Sequence, residues 1–599
     1  MKRQMMGLLF VLLCSGVARA QQATLVPRCA GSNDTEELAT IISRIGSNKG
    51  TIRLPAESGS RCAVNNLKIP TNVTLDNTAG AGIKINTGQT LIDDGPIVNP
   101  AGKQIFYNGL SGQGTVSFAG NSSLPQVMPQ WWGAKGDGTS DSAPAINAAL
   151  DAASAVAIEV HVPAGTYRLV PATSTADAGG TMLTALVMRS GMHIVADGTV
   201  MFKIADNIST SRSPVRMAMF HTNTALTNVS IVGLICDMNG ANNRINPDGG
   251  PWDNGRNQAC VSVSGDRARV DKMVLENNTF QNTAGTNFVV AGQSNRPGVT
   301  LGSGWLLRKN LFKNGGTNVT DFSAVSAWTD NVLADENTFT NDNPPVTGNG
   351  LITAFEVHGS NHRFVNNRVN NARRGVYVAA NFTSAVKNTL IENNTFTNIV
   401  DYGVDFYRQV AADTAIDTVV ISKNSIALTD QQNTSQKAFV NLNVKYAVTN
   451  VLVADNVGSK VGTKVNSSFV VVSADTGSGS KSDQIMISRN RAKGFVTGVA
   501  IVSDAAVGVG RVTVQDNEFN DLATAGGSTA MGVVVNVRAG ALDSVSVTGN
   551  QFNIAVYGVF LIGRITAVNV FGNSYQNIAT SDFDESRANI TTKTTRAGP

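Results

Sequence analysis

Charge is scarce in this sequence. Lys, Arg, Asp and Glu make up 15% of the 599 residues, with 47 basic residues against 43 acidic ones. Most of that excess sits in the first twenty residues. Lys2 and Arg3 form a basic start, Met6 to Leu13 a short apolar core, and Ala18-Arg19-Ala20 a small-x-small cleavage site, the order of an export signal. Cys14 would suit a lipoprotein signal, but Leu13 stands where that signal needs a small residue. Cleavage after Ala20 removes Lys2, Arg3 and Arg19, leaving 44 basic residues against 43 acidic ones. A nearly neutral chain gives no electrostatic footprint for a nucleic-acid partner. Long apolar runs are also missing, and the core of the signal is too short to span a bilayer. The expectation is a secreted or periplasmic chain with no membrane partner; its oligomeric state is left open.

Cysteine is rare, five in all. The four beyond the signal fall into two close pairs, Cys29 with Cys62 and Cys236 with Cys260. An exported protein meets oxidising conditions, so two disulfides are expected, the alternative being four buried thiols. None of the spacings is a short Cys-x-x-Cys, which argues against zinc. A phosphate loop, an HExxH helix and a Ser-His-Asp order are absent, as is any sustained helical period beyond about residue 155. No run of carboxylates on neighbouring outward positions suggests calcium, so neither metal nor cofactor is expected.

What the sequence does contain is a repeat. A β-rich run ending in Asn recurs as VLENNTF (Asn278), LLRKNLF (Asn310), LADENTF (Asn337), RFVNNRV (Asn367), LIENNTF (Asn394) and VISKNSI (Asn424). It continues as VLVADNV (Asn456), IMISRNR (Asn490), VTVQDNEF (Asn517), VSVTGNQF (Asn550) and VNVFGNSY (Asn573). Ten intervals over 295 residues give a mean period of 29.5. Each period carries a second strand-like run, among them AFEVHG, GVYVAA, GVDFYR and FVNLNV. Apolar residues alternate within these runs, and Gly, Asn and Ser separate them. That pattern describes one rung of a parallel β-helix, whose core forms only when rungs stack. The recurring Asn is read as architecture. Its side chain tolerates a left-handed turn and can bond to its counterpart one rung away.

Residues 131–170 open with Gly133, Ala134, Gly136, Asp137, Gly138 and Asp141, followed by an Ala-rich helix that Asp141 or Ser142 can cap. This segment resembles the start of the pectate-lyase-like right-handed parallel β-helix superfamily, which contains lyases, hydrolases, epimerases and phage tailspikes. The resemblance implies an all-β solenoid with a short capping helix. A fainter copy of the order lies upstream, where Asp34-Thr35 opens a helical run to Ile45 before GTIRLPAES. The expected organisation is a signal over 1–20, a small α/β cap module over 21–128, the β-helix over 129–577 and a tail over 578–599. The module is read as a cap, with carbohydrate binding or anchoring as the alternative.

Aligning the second strands by their inward residues (Phe355 and Val357, Val376 and Val378, Val404 and Phe406, Val440 and Leu442) yields an outward column of Glu356, Tyr377, Asp405 and Asn441. A neighbouring column holds His358, Ala379, Tyr407 and Asn443. Earlier rungs add Ser262, Ser264 and Ser326 to this face, and later ones Val534 and Leu561. Glu356, His358, Tyr377, Asp405 and Tyr407 are the candidate catalytic residues. Arg374, Arg408, Lys445 and Trp252 are candidate substrate contacts, Trp252 as a stacking platform in the insertion 238–258. Two carboxylates two rungs apart suit an inverting glycosidase. A Tyr or His base beside an Arg suits β-elimination or epimerisation of a uronate. YGVDFYR over 402–408 is similar to the Tyr-Gly-Phe-Asp-Pro-His segment of mannuronan C-5 epimerases in Tyr402, Gly403 and Asp405; Val404 and Phe406 depart from it, and Tyr407 replaces the His. The expected partner is therefore a polysaccharide, cleaved in a groove on the coil by a lyase or a glycoside hydrolase. An epimerase or a non-enzymatic adhesin is the alternative.

Overall fold

The computed structural model describes residues 23–596, apart from 60, 100–101, 111, 121–123, 178–179, 211, 246–256, 295–298, 317–320, 343–350, 381–384, 409–414, 430–436, 445–447, 463–465, 475–480 and 526. The expected signal, Trp252 and Lys445 lie outside the described residues. The chain divides between Leu124 and Pro125 into two units.

Alternation of apolar and polar residues fixes the second unit. Its 38 strands form one continuous sheet in which each strand pairs in parallel with its counterpart one rung on. A representative rung runs Asp321–Ala327, Asp330–Asp335 and Thr338–Thr340, and the next runs Leu351–Val357, Arg363–Val365 and Arg368–Asn370. A hairpin formed by Thr173–Asp177 and Gly180–Val187 is antiparallel. Among the described residues, no helix follows Ala143–Ser154. That helix begins beside Asp141, whose Oδ1 accepts the backbone N–H groups of Ala143 and Val170.

The Asn repeat is an internal ladder. From Asn278 to Asn573, each Nδ2 donates to Oδ1 of the next ladder Asn at 2.9–3.1 Å. Each also donates to a backbone carbonyl of the rung before, as Asn310 does to Leu275 and Asn394 to Phe364. The ladder side chains are buried, so every amide group removed from water finds a partner inside the coil. One expectation needs correcting: the left-handed residue is the one before the ladder Asn. Lys309, Glu336, Asn366 and Asn393 have φ of 54°, 55°, 57° and 56°. The turn points that residue at solvent and swings the following amide inward, where the ladder holds it. Beside the ladder, Phe280, Phe312 and Phe339 stack with centroids 5.0 and 4.6 Å apart.

One domain expectation also changes. Ser574–Arg596 is no tail. It pairs in parallel along Gln551–Phe571 and forms a last rung, polar because only one neighbour covers it. The first unit carries the expected helix, Thr35–Ile45, followed by short strands. Three small parallel sheets are visited in rotation: Gly50–Arg53, Cys62–Val64 and Leu67–Ile69, then Val73–Asp76, Ile83–Ile85 and Thr90–Asp93, then Ile97–Val98, Phe106–Tyr107 and Thr115–Ser117. This unit is itself a short parallel coil. Both expected disulfides are present, Cys29–Cys62 with Cα atoms 4.8 Å apart and Cys236–Cys260 with Cα atoms 6.2 Å apart.

Candidate functional site

The candidate site rests on four neighbouring parallel strands: Leu351–Val357, Arg374–Ala380, Tyr402–Arg408 and Lys437–Val444. Their register places Glu356 beside Tyr377, Tyr377 beside Asp405 and Asp405 beside Asn441. The inward set Phe355, Val357, Val376, Val378, Val404, Phe406, Val440 and Leu442 is fully buried. A slip of one residue in any strand would have exposed part of that set. On the N-terminal side the column continues through Ser326, Val290 and Ser262 to His221. On the C-terminal side it turns apolar through Val471, Ala500, Val534 and Phe560. Leu561, expected on this face, points into the core at 0% exposure. Phe560 takes the outward place and packs on Tyr557, with ring centroids 4.8 Å apart.

The outward side chains are not a freely solvated row. Glu356 and His358 have side chains 16% and 5% exposed, and Asp405 has 4%. Glu356 Oε2 accepts the hydroxyl of Ser323 at 2.6 Å, and Oε1 lies 2.8 Å from His358 Nε2. The other ring nitrogen of His358 lies 2.8 Å from the carbonyl oxygen of Ala379. Trp328 stacks on the His358 ring at 4.0 Å between centroids, and its Nε1–H donates to Ser326 Oγ at 2.8 Å.

The second half of the site is built around Asp405. Arg374 Nε lies 2.8 Å from Asp405 Oδ2, in a contact that is an ion pair rather than an aligned hydrogen bond. The Arg374 guanidinium also sits 4.6 Å above the centroid of the Tyr377 ring. Asn441 Nδ2 donates to Asp405 Oδ1 at 2.8 Å. Next to this pair, Arg373 Nη2 lies 2.6 Å from Asp401 Oδ2.

These surroundings drive the two carboxyls apart. Burial alone would raise Glu356, but the charge and hydrogen bond of His358, then Ser323 and Arg374, outweigh it and hold the group below its ordinary range. At Asp405 burial wins over Arg374 and Asn441, with help from the Asp401 charge, and pushes the carboxyl up. Burial also lifts the Tyr402 phenol to about 12.

The sequence-predicted residues thus separate. Glu356, His358, Tyr377 and Asp405 converge. Arg374, expected to meet substrate, lies against Asp405 and over the Tyr377 ring. Tyr407 pairs in register with Ala379, and Arg408 with Ala380. Ser323 and Trp328 were missed by the sequence reading. Aligning DFSAVSAW with ITAFEVH would have brought Trp328 opposite His358, since Ala327 pairs with Val357. Among the described residues, no group of three or more His, Cys, Asp or Glu side chains is placed to hold a metal ion. No described helix is long and apolar enough to cross a membrane.

Against known proteins, residues 131–377 match the family described as Rhamnogalacturonase A/epimerase, pectate lyase-like. Over that stretch the chain is similar to a pectate-lyase-like family, and the second unit as a whole is a parallel β-helix. Two solved structures agree in fold, and a third is also similar. A tailspike protein mutant of E. coli bacteriophage HK620 in complex with pentasaccharide superposes with a TM-score of 0.53 at 15% identity, over 76% of this chain and 78% of that one. The pre-mature bacteriophage phi29 gene product 12 gives 0.52 at 12% identity, over 78% of this chain and 57% of that one. The Streptococcus pneumoniae surface protein and adhesin PfbA gives 0.44 at 16% identity, over 78% of this chain and 100% of that one. No curated protein sequence matches the chain.

Proposed function

We propose that this chain is an exported polysaccharide-active enzyme that hydrolyses glycosidic bonds in the groove over Glu356, Tyr377 and Asp405. The observation that carries the reading is the pair of carboxyls on one column, two strands apart, with opposite pKa shifts. Such a divergence assigns acid and base roles. Glu356, held ionised, is the base that takes a proton from water. Asp405, held toward its neutral form, is the acid that protonates the leaving oxygen. Two strand spacings put their backbone positions about 9.6 Å apart, which leaves room for the water that inversion requires. Hydrolysis is favoured over elimination because Arg374 is already paired with Asp405 rather than free to neutralise a uronate carboxylate. The family description names a rhamnogalacturonase and an epimerase, and the HK620 tailspike holds a pentasaccharide on the same fold, which supports a glycan as the partner. Residues 1–20 would direct export to the periplasm or medium.

Incubation of the purified chain with a broad polysaccharide panel tests the reading. New reducing ends with inverted anomeric configuration are expected. Unsaturated ends would assign elimination, a changed uronate configuration without cleavage would assign epimerisation, and binding without any product would make the chain an adhesin-like protein.

A further inference from the structure

A second outward column, on the neighbouring sheet, has no part in the proposed site. Strand register sets Val274, Leu306, Leu333, Arg363, Leu390, Val420, Leu452 and Met486 side by side on eight consecutive rungs. Seven of the eight are aliphatic. Each of the seven is left half-buried, and Arg363 is exposed, so no described side chain covers the stripe. Polar residues bracket it, Ser230 before Val274 and Thr513 after Met486. At one end lies an open depression of about 400 Å³ lined by Leu452, Met486, Gln484 and Arg511.

We propose that this stripe is a dimer interface in which a second copy of the chain packs face to face with its coil antiparallel. Size supports it. Seven spacings of ~4.8 Å make the stripe about 34 Å long, and strands of six to eight residues on every rung but that of Arg363 make the face about 20 Å wide. That is roughly 700 Å² per partner, against the ~800 Å² of a standard interface. Scattered exposed aliphatics are ordinary, but a continuous file of this length marks a contact surface.

Charge then chooses the direction. A two-fold axis along the coil would lay each rung on its own copy and set Arg363 against the partner's Arg363. A two-fold axis across the coil, between the fourth and fifth members, sets Arg363 on the partner's Leu390, Leu333 on the partner's Val420, and Leu306 on the partner's Leu452. It also brings Val274 and Leu306 to the partner's depression at Leu452 and Met486. On one flank Asn331 then meets the partner's Thr418, and Asn361 the partner's Asn388. On the other, Asp335 meets the partner's Ser422. No like charges oppose, and each of these polar pairs can exchange a hydrogen bond.

Light scattering coupled to size exclusion, on the full exported chain at micromolar concentration, tests the proposal. The wild-type chain is expected at twice its monomer mass. Val420→Glu should weaken association at least tenfold, whereas Thr395→Glu, on the exposed face of a different sheet, should not. Both positions point outward, and an unchanged thermal transition checks that the fold survives; if Val420→Glu unfolds, Leu306→Glu takes its place. An Asn331→Cys, Thr418→Cys double variant should form an inter-chain disulfide on oxidation. A monomeric wild-type chain, a Val420→Glu variant that remains dimeric, or a double variant that never cross-links would overturn the proposal. Because the stripe lies outside the glycan groove, these outcomes leave the enzymatic reading untouched.

Discussion

The imidazole of His358 is held between two acceptors, Glu356 Oε1 at 2.8 Å from Nε2 and the Ala379 carbonyl oxygen at 2.8 Å from Nδ1. The ring lies flat against Trp328, with centroids 4.0 Å apart. Glu356 is poised as an ionised group within a buried network rather than as a lone surface acid.

The Glu356–His358 contact predicts acid sensitivity. The folded-state pKa of Glu356 lies below its ordinary value of 4.5. A depressed carboxyl contributes stability above its unfolded pKa and loses it as pH falls through the folded one. Thermal melting of wild type should therefore fall more steeply below about pH 4.5 than that of Glu356→Gln, and the two curves should run parallel above it.

Asp405 predicts the opposite limb. Its raised pKa keeps the acid protonated over an extended range, so turnover should fall as pH rises through that value and as pH drops through that of Glu356. A bell with an acidic optimum is expected. Asp405→Asn and Glu356→Gln should each lower kcat by about a hundredfold or more, with the circular dichroism spectrum unchanged.

Arg374 and Asp405 predict a double-mutant signature. Removing the acid alone, as in Asp405→Ala, leaves the largely buried Arg374 guanidinium without the side chain it contacts at 2.8 Å and should cost about 3 kcal/mol. Arg374→Met combined with Asp405→Leu should recover most of that loss. Chemical denaturation of the two single variants and the pair measures the coupling. Additive losses would mean that the 2.8 Å contact carries no coupling energy.

Much of this is legible in the sequence. The Asn phrase gave the rung, and strict period-two alternation gave a register in which Glu356, Tyr377, Asp405 and Asn441 fall in one column. The Asn ladder was legible because eleven identical side chains recur at one turn, where each can bond to its counterpart one rung away. What the pattern could not carry was side-chain direction beyond in or out. Arg374 reaches Asp405 on the next rung, 31 positions along the chain, and no periodicity announces that. Leu561 was misplaced because a large apolar residue on the outer face, here Phe560, looks like core, yet Tyr557 shelters it. The last rung carried no Asn phrase, so its pairing to residues 551–571 was invisible in the repeat.

The ladder itself predicts a graded response. Asn394 donates to Phe364 O and Asn424 Oδ1 and accepts two N–H groups from Asn367. Asn394→Ala should cost about 2–3 kcal/mol by stranding buried partners, measured by urea unfolding. Asn573→Ala, at the end of the ladder, should cost less, because no ladder Asn follows it.

The most direct test of the central claim follows the anomeric proton of freshly released sugar by NMR while the chain digests a responsive polysaccharide. The account predicts that the first product has the configuration opposite to the cleaved linkage and that Asp405→Asn and Glu356→Gln abolish its appearance. Retained configuration, an unsaturated product, or full activity in either variant would contradict it.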